Sequence, residues 1–239
     1  YLGGTVGPVK AYNSNGLWLE TGDILSREAE QLIEQGNFSA IKMRLGRENF
    51  NDDLSAIETI KKAVGPEVKL MVDFNQCLSF EEALNKCRVL DQFDLTWIEE
   101  PLVYDNLEGY SELTRDIKTP IQLGENFYGP RELYKAIEKK ASDLVMPDLM
   151  RIGGVTGWMS SAAICGAGGI PISSHFYPEV GSHLMRVSQS AHWLEWLDWA
   201  DEILLDPFNI EDGYVQIPNK PGIGIEWNEK VVKKHSMRF

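Results

Sequence analysis

Positive charge is what this sequence most lacks. Across 239 residues, 23 Lys and Arg stand against 36 Asp and Glu, giving a net charge of −13. Neutralising phosphates takes clustered Lys and Arg, so nucleic acid is not expected as a partner. Long apolar runs are missing too. None approaches the roughly 20 residues that span a bilayer, so no membrane partner is expected. No signal peptide is visible. There are only three cysteines, Cys77, Cys87 and Cys165, scattered and without CxxC spacing. An odd, dispersed set points to a reducing, cytoplasmic setting with each thiol a small packed residue, and away from redox chemistry or structural zinc. Without a secretory context, the sequon Asn37-Phe38-Ser39 reads as accidental. The chain opens Tyr1-Leu2-Gly3 without methionine, so further protein is expected upstream. No linker, low-complexity tract or charge block interrupts it. One domain over 1–239 is expected, with a C-terminal extension from about 205.

Apolar residues make up 43% of the chain, enough for a substantial core. Short β-like runs are read at 9–13, 40–45, 69–74, 95–99, 121–124, 143–147, 170–174 and 192–195. Most are apolar on both faces, as buried parallel strands are. Amphipathic stretches alternate with them, for example at 24–35, 52–64, 80–92, 130–140 and 156–167. In the second of these, Leu54, Ile57, Ile60 and Val64 form one stripe with charges opposite. Strand starts recur every 22 to 31 residues, one βα unit per repeat. An open doubly wound sheet should carry a glycine-rich phosphate loop after its first strand, and none follows here. The α/β class with a (β/α)8-type TIM barrel is therefore expected. Gly166-Ala167-Gly168-Gly169 follows a helix and precedes a strand, so it reads as a cap and turn.

Barrel chemistry lies at the C-terminal ends of the strands. Those ends carry Lys42 and Arg44, then Asp73, Glu99, Glu125, Asp148, His175 and Glu195. From Asp73 on, the separations of 20 to 27 residues match the repeat, so these side chains should converge on one mouth. A single acid at such a position is commonly a helix cap or a solvated rim. Three in phase cannot all stay ionised close together without a cation. The all-oxygen set Asp73, Glu99 and Glu125 suits Mg²⁺. Asp148 precedes His175 by one strand, a spacing that suits a base dyad. His183, His192 and His235 lack such a partner and are read as structural. Glu100, pointing away from Glu99, is read as bracing a basic residue. Trp193, Trp196 and Trp199, at helical spacing, are read as packing.

The runs Met71-Val72-Asp73-Phe74-Asn75-Gln76, Trp97-Ile98-Glu99-Glu100-Pro101, Gly124-Glu125-Asn126 and Ile152-Gly153-Gly154-Val155-Thr156-Gly157-Trp158 resemble the barrel domain of the enolase superfamily. Ser173-Ser174-His175 and Ala191-His192-Trp193-Leu194-Glu195 make the mandelate racemase subgroup the best match. The resemblance covers almost the whole chain. It implies a Mg²⁺ enzyme that removes the α-proton of a carboxylate and stabilises an enediolate. It also implies Asp73, Glu99 and Glu125 as metal ligands and His175 as general base, oriented by Asp148. Lys42 and a protonated Glu195 would meet the substrate carboxylate, with Asn75 beside metal and substrate. A homo-oligomer is expected.

Two departures matter. The racemase pattern has Lys-x-Lys on the second strand, whereas here it reads Lys42-Met43-Arg44. Period two places Lys42 and Arg44 on one face, so an arginine occupies the second-base position. With a pKa above about 12, it is poorly suited to accept a proton. That favours a one-base dehydration of a sugar acid over racemisation or epimerisation of an α-hydroxy acid, with an impaired sugar-acid binding protein as a third reading. Arg44 could clamp a distal hydroxyl or second carboxylate. The second departure is the family's N-terminal capping domain, which this chain lacks; it is expected upstream or elsewhere, and with it most determinants of specificity.

Overall fold

The computed structural model describes residues 1–236. Strands β1 (Pro8–Asn13), β2 (Ala40–Arg44), β3 (Lys69–Asp73), β4 (Ile98–Glu99), β5 (Ile121–Leu123) and β6 (Leu144–Val145) pair in parallel in chain order. The seventh barrel position is made of parallel bridges, Val145 to Ile172 and Asp148 to His175 on one side and Ile172 to Ala191 on the other. β7 (Leu194–Trp196) takes the eighth place and closes the circle by pairing with β1. All eight runs read from the sequence occupy barrel positions.

Seven helices cross between these positions: α1 (Asp23–Glu34), α2 (Phe50–Val64), α3 (Phe80–Leu90), α4 (Leu107–Asp116), α5 (Pro130–Glu138), α6 (Gly154–Gly168) and α7 (Pro178–Val187). α6 ends where the glycine run predicted, on Gly169 in the left-handed conformation at φ +66°. After β7 no eighth crossover helix follows among the described residues. A 3-10 turn (Asp201–Ile203) leads to the antiparallel hairpin β8 (Asn209–Glu211) and β9 (Tyr214–Gln216), then to α8 (Glu229–His235). β9 pairs antiparallel with the start of β1 and covers that strand below the mouth.

Alternation along the strands divides the interior in two. One set, including Ala11, Ile41, Met43, Leu70, Val72, Ile98, Ile121, Leu123, Val145 and Leu194, packs outward against the helices. The other, Tyr12, Ala40, Met71, Trp97, Leu144 and Trp193, forms a separate cluster. Lys42 and Met71 are register partners, as are Arg44 and Asp73, and Asp73 and Glu99. The parity that puts Tyr12, Ala40, Met71 and Trp97 in the second cluster therefore carries Lys42, Arg44, Asp73 and Glu99 one step further toward the C-terminal ends.

Candidate active site

Asp73, Glu99 and Glu125 offer carboxylate oxygens that all lie within 4.8 Å of one another. The β3–β4 register brings Asp73 level with Glu99, and Glu125 extends just past β5. Gly124 makes that extension possible: it sits at φ +138°, and a Cβ there would lie 3.1 Å from the Met146 backbone nitrogen. Asp73 is oriented by Asn75, whose backbone N–H (2.8 Å) and side-chain amide (3.0 Å) both donate to its carboxylate. Trp97 Nε1 donates to Glu99 Oε2 at 2.9 Å, and Arg151 Nη1 donates to the Glu125 carbonyl at 3.0 Å.

Lys42 reaches up from below with its Nζ 2.6 Å from Glu99, 2.9 Å from Glu195 and 3.6 Å from Asp73. It is 1% exposed. Burial alone would lower its pKa, but Glu195 and Glu99 outweigh that and hold it well above the usual lysine range. One ammonium cannot neutralise all the surrounding acids. Burial and the neighbouring Asp73 push Glu99 up to about 8. Burial would also raise Glu195, but Lys42 and His175 overcome this and hold it well below the carboxylate range. These two cations favour the ionised form of Glu195, whereas the family resemblance implies a protonated one. Its Oε2 additionally accepts from the Phe176 N–H at 3.0 Å.

On the far side of the mouth, His175 Nδ1 lies 2.8 Å from Asp148 Oδ2. Asp148 Oδ1 is fixed by the N–H groups of Met150 (2.9 Å) and Arg151 (3.0 Å). The other ring nitrogen, Nε2, points at Glu125 Oε2, 3.2 Å away. Burial would lower the imidazole pKa, but the bonds to Asp148 and Glu125 prevail and raise it to about 10. The dyad thus aims one nitrogen at the triad. Arg44 stands across from it on β2, with Nε 4.0 Å from Asp73 Oδ2.

Three readings from the sequence change. Among the described residues Glu100 braces no basic one; its carboxylate accepts from the Gly124 N–H and the Asn126 amide, both at 3.3 Å. The chain turns at φ +36° directly after β4, so simple alternation does not apply there. Cys77 is exposed, while Cys87 and Cys165 are buried. The three tryptophans do not share a helix. Trp193 fills the barrel interior, Trp196 belongs to the outer core, and Trp199 is 63% exposed and packs at a tilt against Phe176 beside His175, with ring centroids 5.1 Å apart. Sequence reasoning missed Ser14, Trp18 and Arg47, which surround Arg44 from loops that have no periodicity to read.

The fold is shared with known proteins. A solved enolase from alpha proteobacterium bal199, with bound Mg, is 53% identical with a TM-score of 0.96; 98% of this chain aligns with 65% of that one. An enolase from Bradyrhizobium complexed with magnesium and mandelic acid is 39% identical, TM-score 0.94, over 99% of this chain and 65% of that one. The L-talarate/galactarate dehydratase of Salmonella typhimurium is 31% identical across 96% of this chain and 58% of its own length. The chain thus spans about three fifths to two thirds of the length of these three proteins. The family model for enolase C-terminal domain-like proteins matches residues 25–231, and the chain belongs to that family.

Proposed function

We propose that this protein is a Mg²⁺-dependent enzyme that removes the α-proton of a sugar acid and then expels a β-hydroxyl, a dehydration. The observation that carries this reading is the asymmetry of the mouth. One side presents a complete base dyad, Asp148–His175, and the facing strand presents an arginine where a second base would stand.

Asp73, Glu99 and Glu125 would hold the ion, since three crowded carboxylates, one of them pushed up to about 8, fit a hard divalent cation. When bound, it supplies electrostatic stabilisation of charge on the substrate carboxylate. Lys42 adds a buried positive charge beside the same place. The raised pKa makes His175 a strong base in its neutral form; Nε2 of that form takes the α-proton, and Asp148 keeps the imidazole in the orientation and tautomer that this requires. The same nitrogen returns the proton to the departing β-hydroxyl, which leaves as water. The remaining enol ketonises to a 2-keto-3-deoxy acid. Arg44 contacts the face of the substrate opposite His175.

Racemisation or epimerisation of an α-hydroxy acid is the second reading. It is favoured by the similarity to the Bradyrhizobium protein bound to mandelic acid. Incubation with sugar acids and α-hydroxy acids in D2O, followed by NMR, distinguishes the two. A keto acid supports dehydration. An epimer carrying α-deuterium makes the protein a racemase, and no exchange with any acid leaves it a binding protein. A cytoplasmic location, in keeping with the three free cysteines, and a homo-oligomeric state belong to this same proposal.

A further inference from the structure

Arg44 is held from several sides by groups that the proton chemistry does not use. Its Nη1 donates to Ser14 Oγ at 3.2 Å and to the Ser14 carbonyl at 3.4 Å. Its guanidinium carbon lies 4.6 Å from the ring centroid of Trp18. Its Nε is buried without a hydrogen-bond partner among the described residues. Ser14 and Trp18 belong to the connection between β1 and α1, whose Leu17 carbonyl accepts the Arg44 N–H at 2.9 Å.

That connection is tied down by a second arginine. Arg47, 8% exposed, donates through Nη2 to the carbonyls of Trp18 (3.2 Å) and Glu20 (2.6 Å). Through Nη1 it donates to the Arg44 carbonyl (3.3 Å) and to Asp53 Oδ1 (2.9 Å). Asp53, fully buried in the first turn of α2, also accepts from the backbone N–H groups of Gly46 and Arg47. A planar guanidinium with five donors can serve all these acceptors at once; an ammonium with three cannot.

We propose that Arg47 and Asp53 form a clasp that fixes the β1–α1 connection and thereby positions Trp18 and Arg44 as the pair that selects the substrate. Arg47 and Asp53 are positioning residues, and Trp18 with Arg44 meets the polyhydroxylated part of the acid on the side opposite His175. The indole offers a flat apolar face to C–H groups, and the guanidinium offers donors to hydroxyl or carboxylate oxygens. This inference rests on the proposed function for its substrate but not for the clasp itself.

The test is a double-mutant cycle in the intact protein with the acid that the wild type turns over. Trp18 is 49% exposed, so Trp18→Ala should keep the fold. It should raise KM about five-fold, the size of one cation–π contact, with kcat nearly unchanged. Asp53→Asn should raise KM in the same direction but add little on top of Trp18→Ala, and Arg47→Lys should behave as Asp53→Asn does. Fully additive effects, or a wild-type KM in Trp18→Ala, overturn the proposal. A readout without turnover accompanies the cycle. Acrylamide quenching assigned to Trp18, taken as the wild type minus Trp18→Phe, should increase in Asp53→Asn. Unchanged quenching defeats the clasp even if no acid is turned over; increased quenching with no turnover of any acid defeats only the proposed function.

Discussion

Around Lys42 the carboxylates outnumber the cations, and this imbalance governs what single substitutions at the mouth should do. Glu125→Gln removes one carboxylate of the triad and the partner of His175 Nε2 together. Calorimetry should show Mg²⁺ binding collapse along with activity, and full activity in that variant would remove the ligand assignment. His175→Asn keeps the triad, so the ion should still bind while α-proton exchange falls by roughly 10²–10⁴-fold. Arg44→Lys places a titratable amine opposite His175, and NMR in D2O should then show exchange from the configuration that the wild type ignores. At this scale the acids were legible in the sequence because the βα repeat puts Asp73, Glu99 and Glu125 in phase. Arg47 was not legible, since its acceptors are backbone carbonyls at Trp18, Glu20 and Arg44, and no residue type announces a carbonyl.

Elements contribute by where they begin and end. Gly124, at φ +138° with only tight space for a Cβ, joins β5 to Glu125. Gly124→Ala should cost about 1–3 kcal/mol in urea unfolding and weaken Mg²⁺ binding as well, because the strain falls directly on a triad member. Ser79→Ala offers the contrast. Ser79 and Glu82 form a capping box at the start of α3. Its loss should cost about 1 kcal/mol and leave metal binding untouched. Strands were easier to read than helices, since buried parallel strands are unbroken apolar runs. α4 and α7 are not among the example stretches named from the sequence; α4 carries Gly109 in its first turn, and α7 opens on a proline and contains Gly181. The seventh barrel position was read as a full strand, yet only Ile172 pairs on both sides within that run, because the chain there is bridged on each edge rather than laddered.

At the scale of the whole molecule, the two apolar clusters divide the work: one binds helices to the barrel, and the other closes the barrel from within. His192 lies at that lower end, its ring 6.0 Å from Trp97 and 6.1 Å from Trp193. Burial, with Lys10 and Lys69 nearby, lowers its pKa to about 4. Above the unfolded value of about 6.5 the imidazole is neutral in both states and adds no pH dependence. Between there and about 4, the unfolded chain takes up a proton that the folded one refuses, so stability falls as pH falls. Unfolding curves of wild type and His192→Gln should therefore diverge across this interval, with the variant lacking that part of the slope.

The inner cluster has a further effect. Tyr12, Trp97 and Trp193, each no more than 2% exposed, stopper the barrel beneath the charged layer. Whatever reaches the three carboxylates must arrive from above and leave the same way, so small ion and larger acid share one doorway. An acid seated first would stand in the path of the cation. Addition should then be ordered, cation before acid, and preincubation with excess acid should slow the capture of the ion in stopped-flow mixing.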